Sequence, residues 1–354
     1  MISRFIVILF ACLTFERSLL AWNAEGHMVV AQIAYNHLNP TAKAKCDALI
    51  AVSVQYAGIT NNTFVTAACW ADDLKSSTSA FSNWHYIDIP FSLDGTSTNG
   101  VSASSFDVVR AINLCITNLQ SVTASTSNQA VSLRFLLHFV GDIQQPLHCS
   151  TAVSAAHLTG DNGGNSFTLD SPWFNLHSLW DGGGGYLFDS VSRPLSGSAQ
   201  NTLNAKVAQI EANYPYNYTT NLGTIANPMT WAQEGFNLAK TNCYVGITNS
   251  TTPTTSYTNT AQATTEQRMA QGGHRLADLL NTLFSPITLG SITRTNGNFR
   301  FSFNTVSNTT YKVQWKLQLS DPAWNDLTIL TGTNNSISFT DAITQTQRFY
   351  RIVQ

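Results

Sequence analysis

The sequence carries little charge. Lys, Arg, Asp and Glu make up 11% of its 354 residues, and 18 basic residues stand against 20 acidic ones. A protein that grips long duplex nucleic acid through phosphates normally has a basic surplus, so any nucleic-acid contact here must be local or metal-mediated. Hydrophobic residues at 43% exclude a disordered chain. The polar surface must come from Ser, Thr, Asn and Gln, which is typical of secreted proteins.

Cysteine is also scarce, and no two cysteines form a Cys-x-x-Cys pair, so they are poor candidates for zinc ligands. Removal of the leader described below would take Cys12 with it. The odd number that remains requires at least one cysteine to stay a thiol or to pair with another chain. A Cys46–Cys69 disulfide is the expected bridge. The five remaining cysteines are Cys46, Cys69, Cys115, Cys149 and Cys243.

Long apolar runs are missing after residue 21, which predicts that no later segment crosses a bilayer. Residues 1–21 combine a basic start at Arg4, an apolar run and a small residue at Ala21, which predicts a signal peptide. A transmembrane anchor is the alternative, but the run is short and charged residues follow it. Cleavage would leave a net charge of about −3. It would place the mature chain in an extracellular or periplasmic compartment.

The most informative stretch is residues 135–148, an apolar predicted helix that carries polar side chains. His138 and Asp142 are four residues apart, so both leave one helix face one turn apart. Pro146 ends the helix and lets His148 take a position outside helical geometry. Imidazole and carboxylate side chains together on an apolar helix favour the interpretation of a metal-binding site. A buried His–Asp hydrogen-bonded pair is the alternative for this stretch alone.

A second pair, His177 and Asp181, repeats the four-residue spacing on another apolar helical background. Two such pairs in a chain with eight histidines are hard to explain by packing, so a metal site becomes the favoured interpretation. Asp72 follows an apolar turn, where helix capping is the alternative role. His85 lies in a predicted extended segment, where a satisfied polar residue is the alternative.

Hydrophobic periodicity predicts a mainly α fold followed by a small all-β sandwich-like domain. The predicted domains are a leader at 1–21, a helical domain at 22–287 and a β module at 288–354. An extended segment is predicted at 83–90 and a Ser/Thr-rich loop at 246–264. The predicted helices cover 28–38, 41–51, 104–119, 127–141, 201–214, 230–244 and 266–284, and the predicted strands cover 299–303, 311–317, 328–330, 336–340 and 348–353.

Together these motifs resemble the zinc-dependent nuclease I family of fungal single-strand-specific and plant bifunctional nucleases, the S1/P1 type. The likeness runs from residue 22 to about residue 284. Its motifs are Trp-x-x-x-Gly-His from residue 22, Trp-Ala-Asp from 70, His-Tyr-Ile-Asp from 85, His-Phe-x-Gly-Asp-Ile-x-Gln-Pro-Leu-His from 138, Gly-Gly-Asn from 163 and Asn-Leu-His-Ser-x-Trp-Asp from 175. The resemblance implies a helical domain of the phospholipase C/nuclease type with three zinc ions in one cleft.

The resemblance also implies which residues would hold zinc. The third ion would take the amine and carbonyl of Trp22 together with His27, with Asp142 bridging to it. An α-amine binds a cation only when deprotonated, so cleavage before Trp22 would create part of the site. The first ion would take Asp72, His85, His138 and Asp142, and the second would take His148, His177 and Asp181.

The implied activity is hydrolysis of single-stranded DNA and RNA to 5′-phosphorylated products, with 3′-nucleotidase activity and with Asp72 and Asp142 among the catalytic residues. Lys75 would stabilise the phosphate in the transition state. Tyr86 would stack on a base, which favours single strands. Asp88 and Asn165 would form hydrogen bonds to a base edge.

Two positions depart from the family pattern, since Asn23 and Gln144 stand where relatives commonly have Gly and His. Neither is an expected ligand, so these changes should tune the activity and not abolish it. The β module is an addition to the family pattern, expected to contact a cell surface or polymer, and the protein is expected to be a monomer.

Two other functions remain open from the sequence. A zinc-dependent phospholipase C shares the implied fold and a similar metal set, although the Gly-Gly-Asn and His-Tyr-Ile-Asp segments favour the nuclease. A non-catalytic secreted binding protein with structural zinc is the second alternative. Structural zinc sites are normally closed, which disfavours three ions sharing one cleft.

Overall fold

The computed structural model describes residues 22–353, except 56–58, 103, 122, 188–190, 217–226, 285–286, 306–309, 334 and 343–346. The predicted signal peptide and Cys12 lie outside the described residues. The α-helices described are α1 Ala24–Asn36, α2 Pro40–Ile50, α3 Phe64–Ala67, α4 Trp70–Lys75, α5 Val108–Gln120, α6 Thr126–Asp142, α7 Leu176–Asp181, α8 Gly197–Asn213, α9 Pro228–Leu238 and α10 Thr255–Leu283.

Short irregular elements join these helices. Strands β1 Pro90–Ser92 and β2 Thr151–Val153 pair in parallel. A π-helix over Ala239–Cys243 continues directly from α9. The 3₁₀ helices are Ile59–Asn61, Ser82–His85, Thr98–Gly100, Pro146–Cys149 and Gly183–Gly185.

Helix α6 lies at the centre of the helical domain. Its residues from Leu133 to Asp142 are buried on every side, as expected of a helix surrounded by other elements. Ser125 caps its first turn by accepting a hydrogen bond from the amide of Asn128. The helix ends at Asp142, before Pro146, which opens the following 3₁₀ helix. The predicted central helix is confirmed, and its C-terminal end is the part that carries polar side chains.

The predicted extended segment at 83–90 is wrong in its first part, because residues 82–85 form a 3₁₀ helix. A 3₁₀ turn aligns side chains three residues apart. Here it brings the rings of Phe81 and Trp84 to 4.9 Å, and Trp84 also stacks on Phe106 at 4.6 Å. Aromatic packing therefore overrides the β-type composition of the segment, and His85 sits at the end of a helical turn.

The last long helix begins earlier than predicted, at Thr255, so the predicted polar loop is wrong from residue 255 onward. Thr254 caps it by accepting a hydrogen bond from the amide of Tyr257. Tyr257 and Ala261 are buried against a small core beside α7. Burial of a few residues stabilises a Thr-rich helix whose intrinsic helix propensity is low.

The predicted Cys46–Cys69 disulfide is wrong. All five cysteines of the described residues are buried thiols, and none is joined to another. The Sγ atom of Cys69 instead donates to the carbonyl of Ala24 at 3.4 Å. A disulfide requires the two β-carbons within about 4.5 Å of each other, and spacing in the sequence gave no test of that condition.

The β module forms two three-stranded antiparallel sheets, with strand orders β3-β4-β7 and β6-β5-β8. Phe301, Phe303, Tyr311 and Val313 form its own buried core. The all-β prediction is confirmed, although β3 was not predicted. The strands are β3 Leu289–Thr295, β4 Asn298–Asn304, β5 Thr310–Lys316, β6 Asn325–Thr331, β7 Ser336–Ala342 and β8 Phe349–Val353.

Within the described residues, no helix combines the length and the apolar character needed to cross a membrane.

Candidate metal centre

Four side chains meet around the C-terminal end of α6. Nδ1 of His85 lies 2.9 Å from Oδ2 of Asp142, and Nε2 of His138 lies 3.2 Å from the same oxygen. Oδ1 of Asp72, on α4, lies 3.5 Å from Nε2 of His138 and 3.8 Å from Nδ1 of His85. Two imidazoles and two carboxylates thus point at one small volume, a donor set that suits Zn²⁺.

His27, near the start of α1, joins this group from the other side. Its ring stacks on that of His138 at 3.8 Å, and its Nε2 lies 3.4 Å from Oδ1 of Asp142. The side chain is fully buried, yet neither ring nitrogen makes a hydrogen bond within the described residues. A buried imidazole without partners is costly unless a cation uses its lone pair. The two oxygens of Asp142 therefore face two neighbouring sets of ligands.

A second cluster contains His148, His177 and Asp181. Nδ1 of His148 donates to the carbonyl of His85 at 2.8 Å, and Nδ1 of His177 donates to the carbonyl of Gly163 at 2.7 Å. Each ring must therefore present Nε2 as an acceptor when it is neutral. These two Nε2 atoms lie 3.2 Å apart, and Asp181 Oδ2 lies 3.6 Å from that of His177. Two lone pairs that face each other beside a carboxylate fit a shared cation.

Backbone carbonyls fix the orientation of these rings. Nδ1 of His138 donates to the carbonyl of Ala68 at 2.6 Å, as the two histidines of the second cluster donate to theirs. The amide of Gln145 donates to Oδ1 of Asp181 at 2.7 Å. Such contacts hold ligands in one tautomer and one orientation before a cation binds. Sequence reasoning missed Gln145, whose position one residue before Pro146 in the long motif was the available signal.

Trp22 connects the start of the helical domain to this centre. Its indole Nε1 donates to the carbonyl of Gly141 at 2.9 Å, and the side chain is fully buried. The following amide, of Asn23, lies 3.3 Å from the carbonyl of Asp181. The backbone of Trp22 is thereby anchored between the two carboxylate-bearing helices α6 and α7.

The two departures from the family pattern do not add side chains to the centre. Asn23 caps α1 by accepting a hydrogen bond from the amide of Gly26, and its own amide donates to the carbonyl of Leu187. Gln144 is buried and accepts a hydrogen bond from Arg275. Both residues therefore have structural partners outside the ligand clusters.

Burial lowers the pKa of most of these histidines: to about 3 for His27 and His177, to about 4 for His85, and below its usual value for His148. Neutral imidazole is the form that binds metals. His138 differs, because the carboxylates of Asp142 and Asp72 outweigh the effect of burial and raise its pKa to about 10. A cation at this point would replace that proton.

The pKa values of Asp181, in the second cluster, and Asp142, in the first, are shifted in opposite directions. Burial raises the pKa of Asp181 well above its usual value. Burial would do the same to Asp142, but the neighbouring His138 and His85 hold its pKa well below the usual range. The charged form of Asp142 is therefore favoured, whereas burial disfavours the charged form of Asp181 and a nearby cation would favour it.

The predicted phosphate-contacting residue, Lys75, ends α4 and reaches the first cluster, where its Nζ lies 2.8 Å from Oδ1 of Asp72. The predicted base-binding residues lie on connecting segments outside the α-helices. Tyr86 is partly exposed and its hydroxyl donates to Asn83. Asp88 is partly buried, and its pKa is raised to about 6 by burial and by the charge of Asp161.

The third predicted base-binding residue, Asn165, follows a turn in which Gly160, Gly163 and Gly164 have positive φ. A β-carbon at Gly163 would lie 2.5 Å from the carbonyl oxygen of Leu147, so only glycine allows this close approach. In this turn the carbonyl of Gly163 accepts the hydrogen bond from Nδ1 of His177, and Asn165 is partly exposed. Its side-chain amide donates to the carbonyl of Asn162 at 2.8 Å.

Comparison with known proteins agrees with this geometry. Residues 22–285 match the family model described as S1/P1 Nuclease. Endonuclease 2 of Arabidopsis thaliana is 29% identical over 282 residues, covering 74% of this chain and 90% of the relative. Nuclease P1 of Penicillium citrinum is 29% identical over 293 residues, covering 74% and 97%. Nuclease S1 of Aspergillus oryzae is 25% identical over 303 residues, covering 80% and 98%.

Proposed function

The chain belongs to the S1/P1 nuclease family and is therefore a hydrolase of phosphodiester bonds, and we propose that its substrates are single-stranded DNA and RNA. The proposed products carry a 5′-phosphate, and the proposed secondary activity is that of a 3′-nucleotidase. The observation that carries this proposal is the convergence of three His/Asp groups at the end of α6, in which one nitrogen or oxygen of each member lies within 4.8 Å of those of the others.

The proposed cofactor is zinc, three ions per chain. One ion would be held by Asp72, His85, His138 and Asp142, and a second by His148, His177 and Asp181. The third would be held by His27 and Asp142 together with the amine and carbonyl of Trp22. Support comes from the donor types, from the His27 nitrogens that lack protein partners, and from the facing Nε2 atoms of the second cluster.

Bound zinc would lower the pKa of a water molecule so that it can act as the nucleophile, and would supply positive charge that stabilises the departing 3′-oxygen. The protein supplies the positions. Carbonyl partners hold the imidazoles in one tautomer, and the buried indole of Trp22 anchors the start of the mature chain beside α6. The ammonium group of Lys75 forms an ion pair with Asp72. From this position it can stabilise negative charge that develops on a phosphate.

The proposed single-strand preference rests on the segments around the centre. Tyr86 presents a partly exposed ring one residue after the proposed ligand His85, so a base stacked on it would bring its phosphate towards the metals. Asp88 and Asn165 would bind the base edge. Because the pKa of Asp88 is raised to about 6, its protonated carboxyl can donate a hydrogen bond below that pH, and its carboxylate can only accept one above it.

We further propose that residues 1–21 are removed on secretion, that residues 22–287 and 288–354 are separate domains, and that the enzyme is a monomer. Cleavage before Trp22 would free the α-amine that the third ion requires. The β module has a core of its own and lies beyond the family match, which fits a role in attachment to a surface or polymer.

The test is cleavage of single-stranded DNA and RNA by processed protein, with and without a zinc chelator. One variant carries an extra alanine before Trp22, and its matched control carries the same alanine after Gln354. We expect chelation to abolish cleavage, zinc to restore it, and only the N-terminal extension to reduce it. Zinc binding with no cleavage of either polymer would contradict the proposal, and release of phosphocholine from lecithin would then identify a phospholipase C.

A further inference from the structure

Seven of the eight histidines fall into two clusters. Five belong to the metal centre, and His157 belongs to neither cluster. The remaining two, His37 and His274, meet at the far end of α1 together with Glu211 of α8. His37 follows His27 by ten residues, so the group of His37, Glu211 and His274 lies about 15 Å further along the axis of α1, at a rise of 1.5 Å per residue. No proposed catalytic residue belongs to this cluster.

The three side chains come from helices that are distant in sequence. His37 caps the C-terminus of α1, and its Nε2 lies 2.5 Å from Oε1 of Glu211. His274 comes from the middle of α10, and its ring stands at 85° to that of His37 with centroids 5.2 Å apart. One ligand atom from each of the three lies within 4.8 Å of the others. Binding of one ion between them would require the close His37 and Glu211 atoms to move apart slightly and His274 to approach.

Neighbouring groups hold these ligands in place. The side-chain amide of Asn281 donates to the carbonyl of His37 at 2.9 Å and also accepts a hydrogen bond from the amide of Asn39. Nδ2 of Asn36 donates to the second carboxylate oxygen of Glu211 at 3.3 Å. The ring of Tyr216 stacks on His37 with centroids 4.6 Å apart. Ligands that are positioned by surrounding contacts bind a metal at lower entropic cost.

The chemistry of the cluster is that of a zinc site. Two imidazoles and one carboxylate are a common ligand set for Zn²⁺, with water in the fourth position. His274 is buried, and burial together with the nearby His37 lowers its pKa to about 4, so the ring is neutral near pH 7. The side chains of His37 and Glu211 are 28% and 23% exposed, which gives an ion access from solvent.

Water for the fourth position has a route as well. Glu211 lines a polar surface cleft of about 310 Å³, together with Gln32, Asn36, Gln200 and Asn204.

We propose that His37, Glu211 and His274 bind a further Zn²⁺ ion, which joins α1, α8 and α10. The ion stabilises the fold and takes no part in catalysis, because none of its ligands belongs to the centre at the end of α6.

The test measures zinc per chain in processed full-length protein dialysed against a fixed free Zn²⁺ concentration. The variants are His37→Gln and Glu211→Gln, both at partly exposed positions, and the matched control is His157→Gln. We expect each of the two variants to hold one zinc fewer than the wild type, and the control to hold the same number. Cleavage of single-stranded DNA should stay unchanged in all three.

An unchanged zinc content in folded His37→Gln and Glu211→Gln would overturn the proposal and leave an ordinary His–Glu ion pair. An independent check needs no variant: crystals of the wild type, with data collected at the zinc edge, should show an anomalous peak between the three side chains. Absence of that peak would also overturn it. The comparison counts zinc in each variant relative to the wild type, so it does not depend on how many ions the catalytic centre holds. Failure of the proposed nuclease function would appear as a lack of cleavage by the wild type and would not affect this comparison.

Discussion

Gly141 offers the sharpest test of the metal centre, because its missing side chain makes room for His27. A β-carbon at this position would lie 2.8 Å from Nδ1 and 3.2 Å from Cε1 of the His27 ring. Ordinary contacts begin at 3.4 Å, so Gly141→Ala must move the ring by about 0.6 Å. Metal–ligand distances tolerate about 0.2 Å. The substitution should therefore displace His27 from any ion that it shares with Asp142.

The expected result is a loss of zinc from the His27 position and a 10- to 100-fold fall in activity, the range seen when the support of a metal ligand is removed. The fold should survive, because alanine is favoured over glycine inside a helix by up to about 1 kcal/mol. The assays are kcat/KM on single-stranded DNA, zinc per chain and thermal unfolding. Ser127→Ala, at an exposed position of the same helix, is the matched control.

Wild-type activity and zinc content in Gly141→Ala would refute this reasoning, since a ring displaced by that distance could not bind as before. A fall in activity accompanied by unfolding would instead point to backbone damage. The thermal unfolding measurement separates these two outcomes.

Three further predictions concern other parts of the chain. Lys75→Met should lower kcat by about 100-fold while zinc content is unchanged, whereas loss of zinc would show that the lysine only supports Asp72. Burial and Asp161 raise the pKa of Asp88 to about 6, so the folded state binds this proton more tightly than the unfolded chain and loses stability as the pH rises from about 4 to 6. Asp88→Asn should remove this loss, worth about 3 kcal/mol, and urea unfolding at pH 4 and 7 should show variant and wild type diverging. A chain that ends at residue 287 should keep full cleavage activity, and a folded but inactive truncation would contradict the proposed domain boundary.

The sequence predicted most of the helices, and it predicted side chains that the structure brings together at the end of α6. His138 and Asp142, like His177 and Asp181, are four residues apart on apolar backgrounds, and helix geometry alone places each pair on one face. The Trp22 and His27 assignments needed the family resemblance, because no local rule brings the start of α1 to the end of α6.

The errors have a common physical origin in tertiary contacts. The 3₁₀ turn at His85 depends on the rings of Phe106, which precedes α5, and Phe135 of α6, and the early start of α10 depends on the burial of Tyr257. The cluster of His37 and His274 joins residues more than 200 positions apart, so no spacing rule could have found it. Local patterns report what a segment prefers, and packing decides among those preferences.

The carbonyl groups that hold His138, His148 and His177 carry one more consequence. These acceptors belong to the main chain of residues 68, 85 and 163, so a change of side chain at residue 68 leaves its acceptor in place. The orientation of His138 is thereby insulated from side-chain changes at residue 68, whereas the acceptor for His177 also requires that residue 163 stay glycine. The proton on each ring is thus positioned by the main chain, and a substitution can shift it only by moving the backbone.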